Sequence, residues 1–400
     1  MLNIAEAQQI ILRHIAPLPT EELPLLQGLG RVASEDVYAP WDIPATDNSA
    51  MDGYAFSFAA VQGNSLFVSG NIPAGKERTT PVAAGEAVRI MTGAPIPRGC
   101  DTVVPIENVE TIGDTIRLVG DAKPGSHIRK QGEDLRAGQR AITANSSLRP
   151  QEIGMLASLG KTSVRVYRRP KVGILATGDE LLEIGSPPAP GKIINSNSYS
   201  IAAQVMESGG DPVMLGIAQD EVASTCDRIR EGIRGDILIT TGGVSVGDRD
   251  CVKEAIVALG GKIKFWKVHM KPGKPIAFAI LEGKPVFALP GNPAAAMISF
   301  EVFVRPALLK MTGHMRIFRP TVTAALTEPI ANKGDRPHLI RVRVEARQDG
   351  YVASATGNQS SARLSSLTAA NGFIKIPPGT TLASGESVVV SLLDRPEVLP

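Results

Sequence analysis

Residues 236–247 read Asp-Ile-Leu-Ile-Thr-Thr-Gly-Gly-Val-Ser-Val-Gly, and they decide the fold. The run Asp236 to Thr241 is short, apolar and β-branched, which reads as a strand, and glycines follow it at once. Working outward, the same alternation repeats. Upstream lie a strand at Lys171 to Ala176 (KVGILA), a helix over 197–208, a strand at Pro212 to Ile217 and a helix over 220–233. Downstream lie a helix over 249–259, strands at Ile263 to Val268 and at 285–289 (PVFAL), and a long apolar helix from about 293 to 312. Strand–helix alternation predicts a mostly parallel sheet with helices on both faces.

The flanks differ. Residues 3–15 have a partly helical apolar spacing that Pro17 and Pro19 stop. From about 45 to 140, short apolar runs alternate with Gly, Pro and Asp clusters, which predicts a β-rich module. Residues 150–160 read as a helix that Gly160 ends. After Gly313 the pattern is β again. Asp349-Gly350 sits between two alternating runs as a hairpin signal, and Ser387 to Leu393 is a last strand. The expected fold is multidomain α/β plus β.

Composition bounds the function. Four hundred residues make two to four domains by length. Hydrophobic residues at 43% and charged residues at 20% suit a globular chain. With 40 glycines and 30 prolines, many turns are expected. A net charge of +2 and 4% aromatics argue against a general nucleic-acid binder. No apolar run is long enough to span a membrane and no signal peptide is visible, so the expectation is a cytoplasmic protein with no membrane contact. Three scattered cysteines make neither a disulfide framework nor a CxxC site. The five histidines have no zinc spacing, and there is no Walker A, no GxGxxG after a strand and no GxSxG elbow.

In open α/β sheets, ligands bind beyond the carboxyl ends of the strands. The residues following each strand are therefore the candidates: Thr177-Gly178-Asp179-Glu180, then Gln219-Asp220-Glu221, then Gly242 to Asp250, then Met270 to Pro275, then Pro290-Gly291-Asn292-Pro293. Gly242, Gly243 and Gly247, with the Ser245 hydroxyl, suit a backbone anion nest, although an ordinary tight turn has the same residues. Lys271 and Lys274 flank a Pro-Gly turn, where a solvated surface turn competes with an anion site. Asn292-Pro293 caps a helix and can serve a ligand as well. Glu180, Asp220 and Asp250 would repel a phosphate unless a cation intervenes, and Mg²⁺ is the expected mediator; N-capping or loop solvation is the other account. In the β-rich module, three polar turns are candidates: 47–55 (DNSAMDGYA), 89–95 (RIMTGAP) and 129–134 (RKQGED).

Seven of these stretches occur together and in one order: DNSAMDGYA (47–55), MTGAP (91–95), GED (132–134), TGDEL (177–181), TTGGVSVG (240–247), KPGKP (271–275) and LPGNP (289–293). In this the chain resembles, over essentially its whole length, the MoeA-type molybdopterin molybdenumtransferases, the family related to the E domain of gephyrin. Three local departures stand out: Asp248-Arg249-Asp250-Cys251 lacks the family's tyrosine, Asp335 to Arg341 has Leu339 for a usual Phe, and Gln359-Ser360-Ser361 replaces QGS.

The resemblance implies a homodimer of four-domain subunits. Residues 1–45 with 141–169 would form a helical and linker domain, 46–140 a β-rich insertion, 170–315 a molybdopterin-binding α/β domain, and 316–400 a β-barrel-like domain. It implies insertion of molybdate into the dithiolene of molybdopterin-adenylate, with Mg²⁺-dependent loss of AMP. Asp52, Thr92, Asp134, Glu180, Asp220 and Asp250 match activity-linked positions, with Glu180 and Asp220 placing Mg²⁺. Substrate contacts would come from Thr177, Gly178, Gly242, Gly243, Ser245, Gly247, Lys271, Lys274, Pro290, Gly291, Asn292, Arg336, Arg341 and Ser361. Transient contact with a molybdopterin adenylyltransferase or a molybdoenzyme-specific partner is also implied. Two alternatives stand beside this: a non-catalytic molybdopterin-binding scaffold, and the preceding adenylation step.

Overall fold

The computed structural model describes residues 1–243 and 251–398. Ser245, Gly247 and Asp250 lie outside the described residues. The chain divides into two compact units. One contains Met1–Ser34, Asn145–Arg149 and Ser163–Pro400; the other contains Glu35–Ala144 and Pro150–Thr162.

In the first unit, six strands form the central sheet: β1 (Lys171–Thr177), β2 (Asp211–Ala218), β3 (Ile237–Thr241), β4 (Lys262–Phe265), β5 (Ala277–Leu281) and β6 (Lys284–Leu289). Their order is β2-β1-β3-β6-β5-β4. The first four are mutually parallel; β5 runs antiparallel to both its neighbours, β6 and β4, so β4 points the same way as the first four. β5 is the strand that pattern reading misses: its alanines (AFAIL) carry a weak β signal, and a hairpin at Glu282-Gly283 joins it to β6.

Alternate residues of the strands feed two cores. Val172, Ile174, Ile237, Ile239, Phe278 and Phe287 face the helices Asn197–Glu207 and Pro293–Ser299 and the N-terminal helix Ile4–Arg13. Leu175, Leu238, Ala277 and Val286 face the helices Val222–Gly232 and Cys251–Ala258. Burying each large apolar side chain contributes about 1.5–3 kcal/mol, so both faces are secured and the strand ends are left to carry polar residues. The N-terminal helix begins in a capping box, with Asn3 Oδ1 accepting from the Glu6 amide at 3.0 Å. The expected helix over 293–312 is three pieces: Pro293–Ser299, a π-helical Phe300–Val304, and Arg305–Met311.

The C-terminal part of this unit is a closed barrel of Thr321–Leu326, His338–Arg347, Gly350–Ala355, Gly372–Ile376 and Ser387–Leu392. Glu397–Val398 adds a short strand parallel to His338–Arg347. The hairpin expected at Asp349-Gly350 forms, with Arg347 opposite Gly350. Along His338–Arg347, Ile340, Val342 and Val344 enter the barrel core. Leu339, on the other face, joins the core beneath the central sheet.

The second unit contains a six-stranded sheet in the order Thr102–Pro105, Gly53–Phe56, Glu86–Ile90, Ser65–Ile72, Thr115–Leu118, Val109–Ile112. It also contains the helix Pro150–Ser158.

Candidate functional site

The strand ends bring the predicted groups to one edge of the central sheet. β1 ends in Thr177, which is 2% exposed, and its hydroxyl has no hydrogen-bond partner. Gly242 and Gly243 lie over it with φ of +88° and +64°. A Cβ on Gly243 would stand 2.6 Å from Thr177 Oγ1 and 2.7 Å from Val252 Cγ2, so only glycine fits. One expectation needs correction. The Gly242 amide is not free for an anion: it extends the ladder by donating to Leu289 O at 3.2 Å. Any nest here starts at Gly243.

β6 ends in Pro290-Gly291-Asn292, and a Cβ on Gly291 would stand 3.5 Å from Gly242 Cα, so these two turns are neighbours. Asn197, the first residue of its helix, donates from Nδ2 to Thr241 Oγ1 at 2.9 Å and to Gly291 O at 2.7 Å.

The Lys271–Pro275 turn follows β4, whose carboxyl end lies on the same edge. It opens a cleft of about 560 Å³ against the barrel. Lys271, Lys274, Pro290, Asn292, Arg336 and Ser361 line it together with Asn358 to Ser360. Backbone bonds zip this seam: the Lys271 amide donates to Pro337 O at 2.9 Å and the Leu339 amide to Lys271 O at 2.7 Å. Asn292 Nδ2 donates to Ser361 Oγ at 3.1 Å, and the Ala294 amide to Ser361 O at 3.0 Å. Three cations line the cleft and no carboxylate does, among the described residues.

Arg341 lies just behind the cleft wall. It is fully buried; its Nε donates to Ser366 Oγ and its Nη2 to Ser360 O, both at 3.1 Å, while Nη1 has no partner. No carboxylate pairs with it among the described residues, and burial lowers its pKa from the usual arginine value. An unpaired buried guanidinium is costly, and an anion nearby would relieve it. His338 is 7% exposed, with Nε2 unpartnered. Burial, then the charges of Lys271, Arg341 and Arg336, push its pKa down to about 4. It is neutral near pH 7.

The first-strand end has the opposite sign. Asp179 and Asp220 cross-link the two loops, the Asp220 amide donating to Asp179 Oδ1 at 3.1 Å. Lys192 Nζ donates to Asp179 O at 2.7 Å. The Glu180 carboxylate folds back over Gly178, where a Cβ would stand 2.6 Å from Oε2. The Asp220 pKa is raised, first by burial and then by Asp179 and Glu180. The Cys251 thiol is buried and donates to Asp220 O at 3.1 Å. No group of three or more His, Cys, Asp or Glu side chains suited to a metal ion occurs among the described residues.

In the second unit, the three polar turns come together. Asn48–Ser49 pairs with Ile128–Arg129, and the Ser49 amide donates to Ala94 O. Asp47 accepts from Lys130 Nζ and the Gln131 amide, both at 2.8 Å. Asp52 accepts from the Thr92 hydroxyl and amide, both at 2.7 Å, and these bonds hold its pKa below the usual value. Asp134 stands on the Lys130–Gln131 turn, its amide donating to Ile43 O.

Sequence reading missed Asn197, Thr241 and His338. Asn197 and Thr241 carry a placement signal, since both sit where a strand end meets a helix start. His338 carries little: Arg336 and Arg341 are its chain neighbours, but its burial and its pairing with Lys271 come only with the fold.

Comparison with known proteins agrees with this architecture. Residues 2–160 match the MoeA N-terminal region (domain I and II), 173–310 the probable molybdopterin binding domain, and 323–393 the MoeA C-terminal region (domain IV). The chain is 36% identical to the molybdopterin molybdenumtransferase of a Nostoc species, over 98% of this chain and 93% of that one. It is 34% identical to the Haemophilus influenzae protein of the same name, over 98% of each. The crystal structure of a molybdopterin biosynthesis MoeA protein from Pyrococcus horikoshii superposes with a TM-score of 0.85 at 30% identity, covering 99% of this chain and 100% of that one. The Pyrococcus furiosus molybdenum cofactor biosynthesis protein, at TM-score 0.62 and 22% identity, shares the fold. With full-length similarity at this level and all three regional matches in order, the chain belongs to the MoeA family of molybdopterin molybdenumtransferases.

Proposed function

We propose that this protein transfers molybdenum from molybdate to molybdopterin in molybdenum-cofactor biosynthesis, acting on the adenylated pterin and releasing AMP. The observation that carries this reading is the cleft of Lys271, Lys274 and Arg336, backed by the unpaired Arg341. Molybdate is a dianion that must approach an anionic substrate. Repulsion between unit charges about 4 Å apart is roughly 4 kcal/mol at an effective dielectric near 20. Lys271, Lys274 and Arg336 offset it, Ser361 and Asn292 supply neutral donors, and Thr177, Gly178, Gly243 and Gly291 let the phosphate chain approach the strand ends.

The carboxylates fit a divalent cation. The Asp220 pKa is raised first by burial and then by the charges of Asp179 and Glu180, a negative field that such a cation would relieve. Glu180 and Asp220 would hold Mg²⁺, which when bound neutralises phosphate charge. Asp52 and Thr92, joined by two hydrogen bonds, lie in the insertion, as does Asp134, and in this reading all three act in a homodimer. The four-domain division at 45/46, 140/141, 169/170 and 315/316, the cytoplasmic setting and transient partner contacts belong to the same proposal. No helix among the described residues is long and apolar enough to cross a membrane.

The test is AMP release by purified protein given molybdopterin-adenylate, with and without molybdate and Mg²⁺. Release that needs both supports the reading. Tight binding without molybdate-dependent release points to a scaffold, and ATP-driven adenylation of free molybdopterin points to the preceding step. Glu180→Gln should keep the fold and lower the rate at least about tenfold, ~1.4 kcal/mol of barrier.

A further inference from the structure

Asn197 occupies an unusual place at the sheet edge. Gly291 O can only accept, so the group 2.7 Å from it is the Asn197 NH₂. The same nitrogen donates to Thr241 Oγ1 at 2.9 Å, and that hydroxyl donates onward to Pro290 O at 3.2 Å. One side chain and one hydroxyl therefore tie the end of β3 to the end of β6. On one side of this clip lies the Gly242–Gly243 turn. On the other lie Pro290 and Asn292, which line the cation-rich cleft. The helix gains little from Asn197 itself: its N-cap, Ser196, makes no side-chain capping bond, and Asn197 stands one residue further in.

We infer that Asn197 is a positioning residue, which through Thr241 fixes the spacing between the Gly242–Gly243 turn and the Pro290–Asn292 turn, and so between two anion subsites. The inference rests on the proposed function for what the subsites hold: a nucleotide phosphate at the first and a tetrahedral oxyanion in the cleft. Neither Lys271, Lys274, Arg336 nor Ser361 is touched by the clip, so each anion alone should still find its partners. What the clip controls is their relative placement, and a misplacement of about 1 Å can cost on the order of 100-fold in rate.

The experiment compares wild type, Asn197→Ala, Thr241→Val, Thr241→Ser and the Asn197→Ala/Thr241→Val double variant in the full chain. The readouts are kcat, calorimetric Kd for AMP and for molybdate separately, Kd for AMP with molybdate saturating, and Tm. A positioning role predicts kcat at least about tenfold lower in Asn197→Ala and Thr241→Val, with each single-anion Kd within about twofold. It predicts that the double variant is no worse than either single, since both remove one clip, and that Thr241→Ser recovers most of the loss. Weakening of both anions in step with a fall in Tm, additive losses, or kcat within twofold of wild type would each overturn the inference. If Asn197→Ala fails to fold, the Thr241→Val and Thr241→Ser pair decides alone. If wild type binds both anions but releases nothing, the proposed function falls. The inference is then judged on linkage: the factor by which molybdate changes AMP affinity should move toward 1 in Thr241→Val, and an unchanged factor overturns it. Wild type that binds neither anion overturns both.

Discussion

The two ends of one sheet edge carry opposite electrostatics. Beyond β1 and β2, Asp179, Glu180 and Asp220 crowd together, and the Asp220 pKa is raised, first by burial and then by its two acidic neighbours. Beyond β4 and β6, Lys271, Lys274 and Arg336 face one cleft with Arg341 buried behind it, and the His338 pKa falls to about 4. Each end is incomplete by itself: one lacks a cation and the other an anion. In the proposed reading, a divalent cation carried on a phosphate chain would supply the first and a tetrahedral oxyanion the second. Local charge imbalance at the ligand edge thus costs stability while nothing is bound and becomes binding energy when ligand arrives.

The comparison can be broken most directly at the positive end. Lys274→Ala should weaken molybdate binding about 10- to 150-fold, the range for losing a hydrogen bond to a charged group of ~1.5–3 kcal/mol. Arg341→Met should give a similar loss while leaving Tm near wild type, because an unpaired buried charge is replaced by an apolar chain. A large fall in Tm without loss of molybdate affinity would mean that Arg341 is a structural tie for Ser360 and Ser366 only.

Acidity sharpens it next. His338 binds its proton near pH 6.5 when unfolded and near pH 4 when folded. Between these values the unfolded state holds more protons, so stability is present above about pH 6.5 and is lost as pH falls toward 4. The loss is about 3 kcal/mol by linkage. His338→Gln should flatten the pH dependence of Tm in that window, and an unchanged slope would exclude His338 as its source.

The glycines give the smallest contrast. Gly243→Ala should cost about 1–3 kcal/mol, because the residue is left-handed and its Cβ meets Thr177 and Val252. Gly291→Ala, whose Cβ makes only a 3.5 Å contact, should stay within about 0.5 kcal/mol. Chemical denaturation of the pair checks both.

Much of this was legible in the chain. The Asp236–Thr241 run followed by glycines located the sheet, and reading past each strand found Glu180, Asp220, Lys271, Lys274 and Asn292 on one edge. Other features were not legible. β5 is alanine-rich and short, so its pairing with β6 comes from the hairpin and burial rather than from propensity. The Gly242 amide reads as a free donor until the ladder with Leu289 is seen.

The sequence by itself determined the order of elements, because apolar periodicity and turn residues act locally. It also determined the chemical character of the strand ends, since the residue types there are explicit. The tertiary structure decided which of those ends share a site. The cleft joins residues 271–275, 290–295, 336 and 358–361, and Asn197 meets Thr241 and Gly291 across 44 and 94 positions. Such meetings depend on sheet order, barrel closure and backbone pairing at the seam, which no local pattern encodes. The pKa of His338 belongs to the same class: Arg336 and Arg341 are its chain neighbours, but burial, the largest cause, and Lys271 act on it only in the fold.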